Sequence, residues 1–335
     1  MAVASISDYS ASINIPAMIK AKILSGGNPL NKNGRQLKYS GGFCVVFPYV
    51  TPTKKYAVRC WHINVDDIRN RTRLISEAIQ SSKLPYFVGF EYIPNGIQTA
   101  KGAQDIVVMD WVEAQSLKKY LSSHLTESSK LVELANRFME MVIKFHSHHI
   151  AHGDLQHGNI MVKDDGNIVL VDYDSMYVPA LSGYSDDIKG LAGYQHPARW
   201  KNKMISEKID YFSEIIIYTS LVALSKYPSL WEELNLEDTE TLLFSTEDIT
   251  SKGNSKIFQV LDRDQELKLF SKKIKEFLCQ DSIENLEPLE RAVIDPKISL
   301  ADEISKKWKG LGEKRKTQTQ DDYNDIANLI SKRWK

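Results

Sequence analysis

The sequence has few cysteines and no net charge. Its 335 residues include three cysteines, Cys44, Cys60 and Cys279, which are widely spaced and form no CxxC pair. A disulfide framework and a cysteine-rich zinc site are therefore not expected, and a reducing compartment, the cytoplasm, is the expected location. The 43 Lys and Arg residues equal the 43 Asp and Glu residues in number. This balance disfavours nucleic acid and anionic membranes as partners.

Long hydrophobic runs are also absent. Residues 1–20 lack a basic region followed by an apolar core, and the most apolar stretches, such as 215–224, stop well short of the roughly 20 residues that span a membrane. No membrane segment is expected. With 42% hydrophobic and 26% charged residues, the composition indicates a globular protein with a full core. The length indicates about two domains or lobes.

The hydrophobic patterns change from β-rich to helical along the chain. The predicted divisions are a polar lead-in at 1–37, a β-rich lobe at 38–112, a helical lobe at 113–290 and a polar, Lys-rich extension at 291–335. The expected strands are 43–47, 56–61, 86–92, 106–109, 160–162 and 168–171. The expected helices are 17–24, 66–82, 116–125, 129–149, 208–226 and 321–334.

The densest polar cluster is the run from His152 to Asn159, which follows the long helix and precedes a short strand. Asp172 ends the next apolar run, so a two-stranded hairpin would bring Asp154, Asn159 and Asp172 to one edge. An amide oxygen and a carboxylate there suit Mg²⁺, and Asp154 could orient an attacking hydroxyl. A polar hairpin turn in some other fold is the alternative interpretation.

This arrangement resembles the protein kinase superfamily, in which His-x-Asp is followed after four residues by Asn and then by a metal-binding Asp. The resemblance implies an α+β, two-lobed kinase fold with a small β-rich N-lobe and a larger helical C-lobe. It implies ATP and Mg²⁺ as cofactors, Asp154 as the catalytic aspartate, and Asn159 and Asp172 as catalytic residues that bind magnesium. His152 would support the loop.

The β-rich lobe extends the resemblance. Ala57-Val58-Arg59 resembles the Ala-Ile-Lys of kinases, and Glu77 would form the ion pair with Arg59. Arg is a departure, because a planar guanidinium holds phosphate differently from an ammonium. The further ATP-binding residues implied are Gly41 and Gly42 over the phosphates, Met109 as gatekeeper, the backbones of Asp110 and Val112 at adenine, and Ala57 and Met161 on either side of the base.

Later features narrow the function. The stretch from Gly190 to Pro197 resembles the end of the kinase activation segment, and Asp210 resembles the aspartate that anchors the catalytic loop. This long segment favours a protein substrate over a small molecule. Gly153 replaces the arginine of His-Arg-Asp, which makes control by activation-loop phosphorylation less expected. Gln156 stands where Ser/Thr kinases have a lysine near the transferred phosphate, and Asp172-Tyr173-Asp174 replaces Asp-Phe-Gly, which implies reduced flexibility.

The resemblance covers about residues 38–280 and is greatest to bacterial eukaryotic-like, atypical Ser/Thr kinases with Arg in the lysine position. A nucleotide-binding pseudokinase or scaffold and a small-molecule kinase of the aminoglycoside or choline type are the alternatives. The C-terminal extension could dock a partner. His146, His148 and His149 lie together near the end of the long helix, but the helix offers them no carboxylate partner, so a metal site there is not favoured.

Overall fold

The computed structural model describes residues 3–64 and 67–293. The chain divides into two compact units, the first ending at Glu113 and the second beginning at Ala114. The predicted terminal helix at 321–334, and all of the predicted extension after residue 293, lie outside the described residues.

The described residues of the first unit form a six-stranded sheet, a separate two-stranded sheet and two α-helices. Its helices are α1 (Ile6–Ser12) and α2 (Ile68–Ser82). Its strands are β1 (Asn28–Pro29), β2 (Asn31–Lys32), β3 (Arg35–Gln36), β4 (Tyr39–Ser40), β5 (Cys44–Val50), β6 (Lys55–Trp61), β7 (Phe90–Thr99) and β8 (Gly102–Asp110). The first helix lies earlier than the one predicted at 17–24, where the structure has only 3₁₀ turns.

Among the described residues, six strands of this unit form one sheet in the order β1-β5-β6-β8-β7, with β4 also pairing with β5. The predicted hairpin at 43–61 is confirmed, with Val46 opposite Arg59. The predicted strand at 106–109 lies within β8, whereas the predicted strand at 86–92 overlaps β7 only from Phe90 and so begins too early. The two strands form a longer β7–β8 hairpin with a register shift between Ile93 and Ile97. The extra length comes from residues whose polar composition hides the strand pattern.

One face of the sheet is covered by the N-terminal residues of the chain. Alternate residues of β5, including Val45 and Phe47, form a buried cluster with Tyr9 and Ile13. The Tyr9 hydroxyl donates to the Trp61 carbonyl at 3.0 Å. The predicted lead-in therefore contributes to the core of this unit, because apolar side chains are spaced along its polar sequence.

The second unit is mainly helical. Its strands are β9 (Gln115–Ser116), β10 (Ile160–Val162) and β11 (Ile168–Leu170), which form a small sheet in the order β11-β10-β9. Its helices are α3 (Leu117–His124), α4 (Ser128–Ser147), α5 (Tyr211–Lys226), α6 (Leu230–Glu233), α7 (Thr246–Thr250), α8 (Lys256–Leu261), α9 (Gln265–Leu278) and α10 (Leu289–Ala292).

Helix α5 lies at the centre of the second unit, as its continuous apolar sequence predicts. All residues from Tyr211 to Ser225 are buried, and α5 packs against α4 and α9. A helix that is apolar on every side must be enclosed on every side. The residue before it, Asp210, is buried as well, which places a carboxylate inside the unit. No helix among the described residues is long and apolar enough to cross a membrane.

Candidate active site

The loop after α4 is anchored by Asp210. One Asp210 carboxylate oxygen accepts the backbone N–H of Gly153 at 2.9 Å, and the other accepts the N–H of His152. Burial, together with the nearby charge of Glu214, raises the pKa of Asp210 to about 7. The predicted anchoring of this loop by Asp210 is confirmed, and the loop's catalytic role stays a prediction.

His152 ties the same loop to the β10–β11 hairpin. Its Nδ1 lies 3.3 Å from the N–H of Asp154, and its Nε2 lies 3.0 Å from the carbonyl of Val171. A carbonyl can only accept, so Nε2 carries the proton and Nδ1 is the acceptor. Burial lowers the pKa of His152 to about 4, which keeps the ring neutral near pH 7. A neutral His152 fixes the backbone on both sides without adding charge beside Asp154.

Several donors hold Asp154, among them Leu191 and Asn159. Its Oδ1 accepts the N–H of Leu191 at 2.8 Å, and its Oδ2 accepts the side-chain amide of Asn159 at 2.8 Å. Burial raises the pKa of Asp154, while these two hydrogen bonds act in the opposite direction. The carboxylate is therefore oriented and partly desolvated, as a group that accepts a proton from a hydroxyl requires.

Asn159 and Asp172 flank the same end of the β10–β11 hairpin. The N–H of Val171 donates to the carbonyl of Asn159 at 3.0 Å, which continues the pairing of Ile160 with Leu170. Asp172 follows with a φ of 65°, in the left-handed region that Asp tolerates better than most residues. The sequence predicts that a hairpin brings these two residues to one edge, and the β10–β11 hairpin does so.

The donor set fits magnesium. The Asn159 amide nitrogen is used by the Asp154 side chain and by its carbonyl at 3.0 Å, so the amide oxygen faces away from Asp154. An amide oxygen and a carboxylate are hard ligands, and Mg²⁺ takes few protein ligands and keeps water or phosphate oxygens. Among the described residues, no three His, Cys, Asp or Glu side chains form a metal-binding group. The proposed site is not such a group, because one of its two ligands is the amide oxygen of Asn159.

Gly153 leaves no room for the arginine that many kinases have before the catalytic aspartate. A Cβ at this position would lie 2.0 Å from the carbonyl oxygen of Ser175, and the φ of Gly153 is 79°. Both the positive φ and the close approach require glycine. Sequence reasoning identified the departure from His-Arg-Asp, and the structure gives its physical reason.

We expect Gly153→Ala to lower the free energy of unfolding by about 2–5 kcal/mol. About 1–2 kcal/mol comes from an L-residue at positive φ, and about 1–3 kcal/mol from forcing a methyl group into the Ser175 backbone. Gly183→Ala is the matched control, because Gly183 has a φ of 87° with nothing near its Cβ position. Chemical denaturation of both variants separates strain from crowding. Equal losses in the two would show that the contact with Ser175 adds nothing.

The first unit brings several predicted nucleotide residues to one sheet face. Ala57 lies opposite Met109 in the β6–β8 register, and Arg59 lies opposite Val107. These residues alternate with Val58, which belongs to the core on the other face. Arg59 is buried, with 5% of its surface exposed. The sheet therefore presents Ala57, Arg59 and Met109 together, and their contact with ATP stays a prediction.

The other residues predicted to bind the nucleotide lie in turns, at strand ends or in the second unit. Gly41 and Gly42 are exposed in the turn between β4 and β5, where Gly41 donates to the Cys44 carbonyl at 2.8 Å. The Asp110 side chain pairs with Lys54 at 2.7 Å. The Asp110 N–H donates to the Gly89 carbonyl at 2.9 Å, and a contact of the Asp110 backbone with adenine stays a prediction. Partly buried Val112 follows β8, and Met161 lies in β10 of the second unit.

The expected ion pair between Arg59 and Glu77 is not formed, so that prediction is wrong. Glu77 lies on the outer face of α2 with 60% of its side chain exposed, and it pairs with Arg73 one turn earlier at 2.7 Å. The buried face of α2 instead carries Arg71 and Ile75. The spacing from Arg59 placed Glu77 on helix α2, as the structure shows. It did not predict which side of the helix faces the core, because packing determines that side.

Sequence reasoning missed a buried charge cluster around His146. His146 Nε2 lies 3.0 Å from Glu214 of α5, and Nδ1 lies 2.9 Å from Glu290 of α10. Burial disfavours the imidazolium, but the two carboxylates outweigh it and raise the pKa of His146 well above its ordinary value. The carboxylates come from other helices, so a search within α4 could not find them. A single Glu inside the apolar sequence of α5 was the available signal.

The chain belongs to the protein kinase family. The family model of the protein kinase domain matches residues 40–294, which is more than half of the chain. The expected α+β, two-lobed kinase fold is confirmed, with the sheet in the first unit and the helices in the second.

One curated relative is similar over a short stretch. The probable serine/threonine-protein kinase mkcC of Dictyostelium discoideum is 30% identical over 67 residues. That stretch is 20% of this chain and 8% of the relative, so the chain matches only a small part of the relative's length.

Proposed function

We propose that the chain is an active Ser/Thr protein kinase that transfers the γ-phosphoryl group of ATP to a protein hydroxyl. The observation that carries the proposal is the hydrogen bond between Asn159 and Asp154, which orients the Asp154 carboxylate and turns the Asn159 amide oxygen away from it. In the proposed reaction, Asp154 accepts the proton of the substrate hydroxyl while the hydroxyl oxygen bonds to the γ-phosphorus of ATP. The bond between the γ-phosphorus and ADP breaks, and ADP leaves.

The metal-binding residues of the proposal are Asn159 and Asp172. Mg²⁺ bound there would neutralise charge on the phosphates. Arg59 is proposed to hold phosphate oxygens through its planar guanidinium. The remaining proposed ATP-binding residues are those of the sequence analysis, namely Gly41, Gly42, Ala57, Met109, Asp110, Val112 and Met161. Glu77, with its partner in Arg73, is left out of this set.

A protein substrate is proposed because the segment from Tyr173 to Pro197 is long and fixed near Asp154. Tyr194 contacts His157 Nδ1 at 2.8 Å, and Leu191 donates to Asp154. The bacterial, atypical subtype rests on Arg59 and the departures around Gly153. A cytoplasmic location and a docking role of the C-terminal extension are likewise proposals, carried by the sequence alone.

The test is labelling from γ-labelled ATP with Mg²⁺, beside a thermal shift with the same nucleotide. We expect the wild type to label itself or a generic protein, and Asp172→Ala to lose both labelling and the thermal shift produced by Mg-ATP. Asp164→Ala is the control, because Asp164 is exposed in the turn at the opposite end of the hairpin. A thermal shift without any labelling would favour the pseudokinase or small-molecule kinase.

A further inference from the structure

The guanidinium of Arg199 is enclosed in the second unit, beside the catalytic loop. Arg199 is 0% exposed and lies in the 3₁₀ helix Pro197–Lys201. Its Nε and Nη2 donate to the two carboxylate oxygens of Asp186 at 3.1 and 3.0 Å. Its Nη1 donates to the carbonyl of Gly153 and to the side-chain oxygen of Gln195. One side chain thus joins the catalytic loop to both ends of the segment 186–199.

The charge of Asp186 is balanced within this network. Both partners of the Arg199–Asp186 ion pair have side chains that are 0% exposed, and Lys189 lies 2.9 Å from the same carboxylate. A buried ion pair costs desolvation energy unless its geometry is good and its remaining donors are satisfied. Here the pairing is bidentate, and the third guanidinium nitrogen is used by Gly153 and Gln195.

The contact with Gly153 completes the fixation of the backbone before Asp154. The Gly153 N–H is held by Asp210, and its carbonyl is held by Arg199. The segment between Asp186 and Arg199 also supplies the Leu191 N–H that binds Asp154. Gly190 packs so closely that a Cβ there would lie 2.5 Å from Asp154 Oδ1. Displacement of this segment would therefore disturb the carboxylate itself.

We propose that Arg199 and Asp186 are positioning residues that hold Asp154 and the segment 186–199 in place without phosphorylation of that segment. The inference rests on the proposed kinase function. The Asp186 carboxylate pairs with the guanidinium through both of its oxygens, and all three guanidinium nitrogens already have partners. A phosphate group is not needed to bring the segment to the catalytic loop, and Gly153 offers no side chain to bind one.

The test compares kcat and KM for ATP in a double variant and a control. Asp186→Leu with Arg199→Met replaces the buried ion pair by apolar side chains, a change that often leaves stability intact. We expect a folded protein with kcat lowered about 10- to 100-fold, the scale of a misplacement of about 1 Å, and KM changed less than about threefold.

Lys189→Met is the control. It keeps the contact of Arg199 with Gly153 and should retain kcat within about twofold. Phosphatase treatment of the wild type should leave kcat unchanged.

Hydrogen exchange provides a readout that does not depend on activity. We expect peptides covering 150–158 and 188–196 to exchange faster in the double variant than in Lys189→Met. Unchanged kcat and unchanged exchange in the folded double variant would overturn the proposal, as would loss of wild-type activity after phosphatase treatment. If the wild type transfers no phosphate, the proposed kinase function is wrong. The hydrogen-exchange comparison then decides by itself whether Arg199 and Asp186 hold the segment in place. If the double variant does not fold, Arg199→Lys is measured in the same way, because one ammonium cannot bind Asp186 bidentately and also reach Gly153.

Discussion

Asp154→Asn is expected to reduce phosphotransfer by about 100- to 10,000-fold, the range that positioned acid–base groups contribute. An amide keeps the shape of the side chain but cannot take up the proton of a substrate hydroxyl. Stabilisation by Mg-ATP should persist, because Asn159 and Asp172 are unchanged. Steady-state kinetics and a thermal shift measure the two effects separately.

The control for this change is Asp165→Asn, on the exposed turn between β10 and β11, where activity should stay within about twofold. Retention of most activity by Asp154→Asn would remove Asp154 from the reaction. It would leave the hydrogen bonds of Asp154 to Leu191 and Asn159 with a structural role only.

The pH profile gives a second check on Asp154. Burial raises its pKa above the ordinary value for aspartate, and only the ionised carboxylate can accept a proton. Activity of the wild type should therefore fall as pH decreases through this raised pKa. The decline should lie at a higher pH than an exposed aspartate would give. A profile that stays flat down to pH 4 would contradict this assignment.

His146→Leu is expected to lower the free energy of unfolding by about 3–5 kcal/mol, because it leaves Glu214 and Glu290 buried without their cation. His146 and both carboxylates have side chains that are at most 5% exposed. Helices α4, α5 and α10 meet at this cluster, so the loss should affect the whole second unit. Denaturant unfolding measures it.

An exposed His–Glu pair is the matched control. His149 and Glu207 are 2.7 Å apart with side chains 68% and 41% exposed. Glu207→Gln should cost less than about 1 kcal/mol, because water screens this pair. If His146→Leu cost no more than Glu207→Gln, the cluster would not hold the helices together.

The contribution of His146 should depend on pH. Its folded-state pKa is raised above the unfolded value, so its contribution is fully present below pH 6.5 and is lost as pH rises through the folded-state pKa. The difference in unfolding free energy between wild type and His146→Leu should narrow on the alkaline side. A difference that widens there would reverse the assigned direction.

The local structure around Asp154 could be predicted from sequence because its parts are close along the chain. Asp154 and Asn159 are five residues apart, and the hairpin from Ile160 to Leu170 returns the chain directly to Asp172. Short-range pairing of this kind depends on local strand and turn residues. The apolar sequence of α5 likewise predicted a central helix, since such a helix has no polar side to expose.

Contacts between distant segments could not be predicted in this way. His146 meets Glu214 and Glu290 across 68 and 144 residues, and Arg199 meets Gly153 across 46. Their partners are chosen by the way helices and loops pack, which no local pattern encodes. The orientation of helix α2 could not be predicted for the same reason. Arg71 and Ile75 face the core, so Glu77 lies on the exposed side, where it pairs with Arg73.

The sequence by itself determined the fold class, the central helix α5 and the hairpin that brings Asn159 and Asp172 to one end, because these follow from local hydrophobic patterns and short spacings. Only the tertiary structure decided which charges are buried together, why position 153 must be glycine, and that Arg199 holds the backbone beside Asp154. Those features depend on close approaches between separate segments, and such distances exist only after the chain has packed.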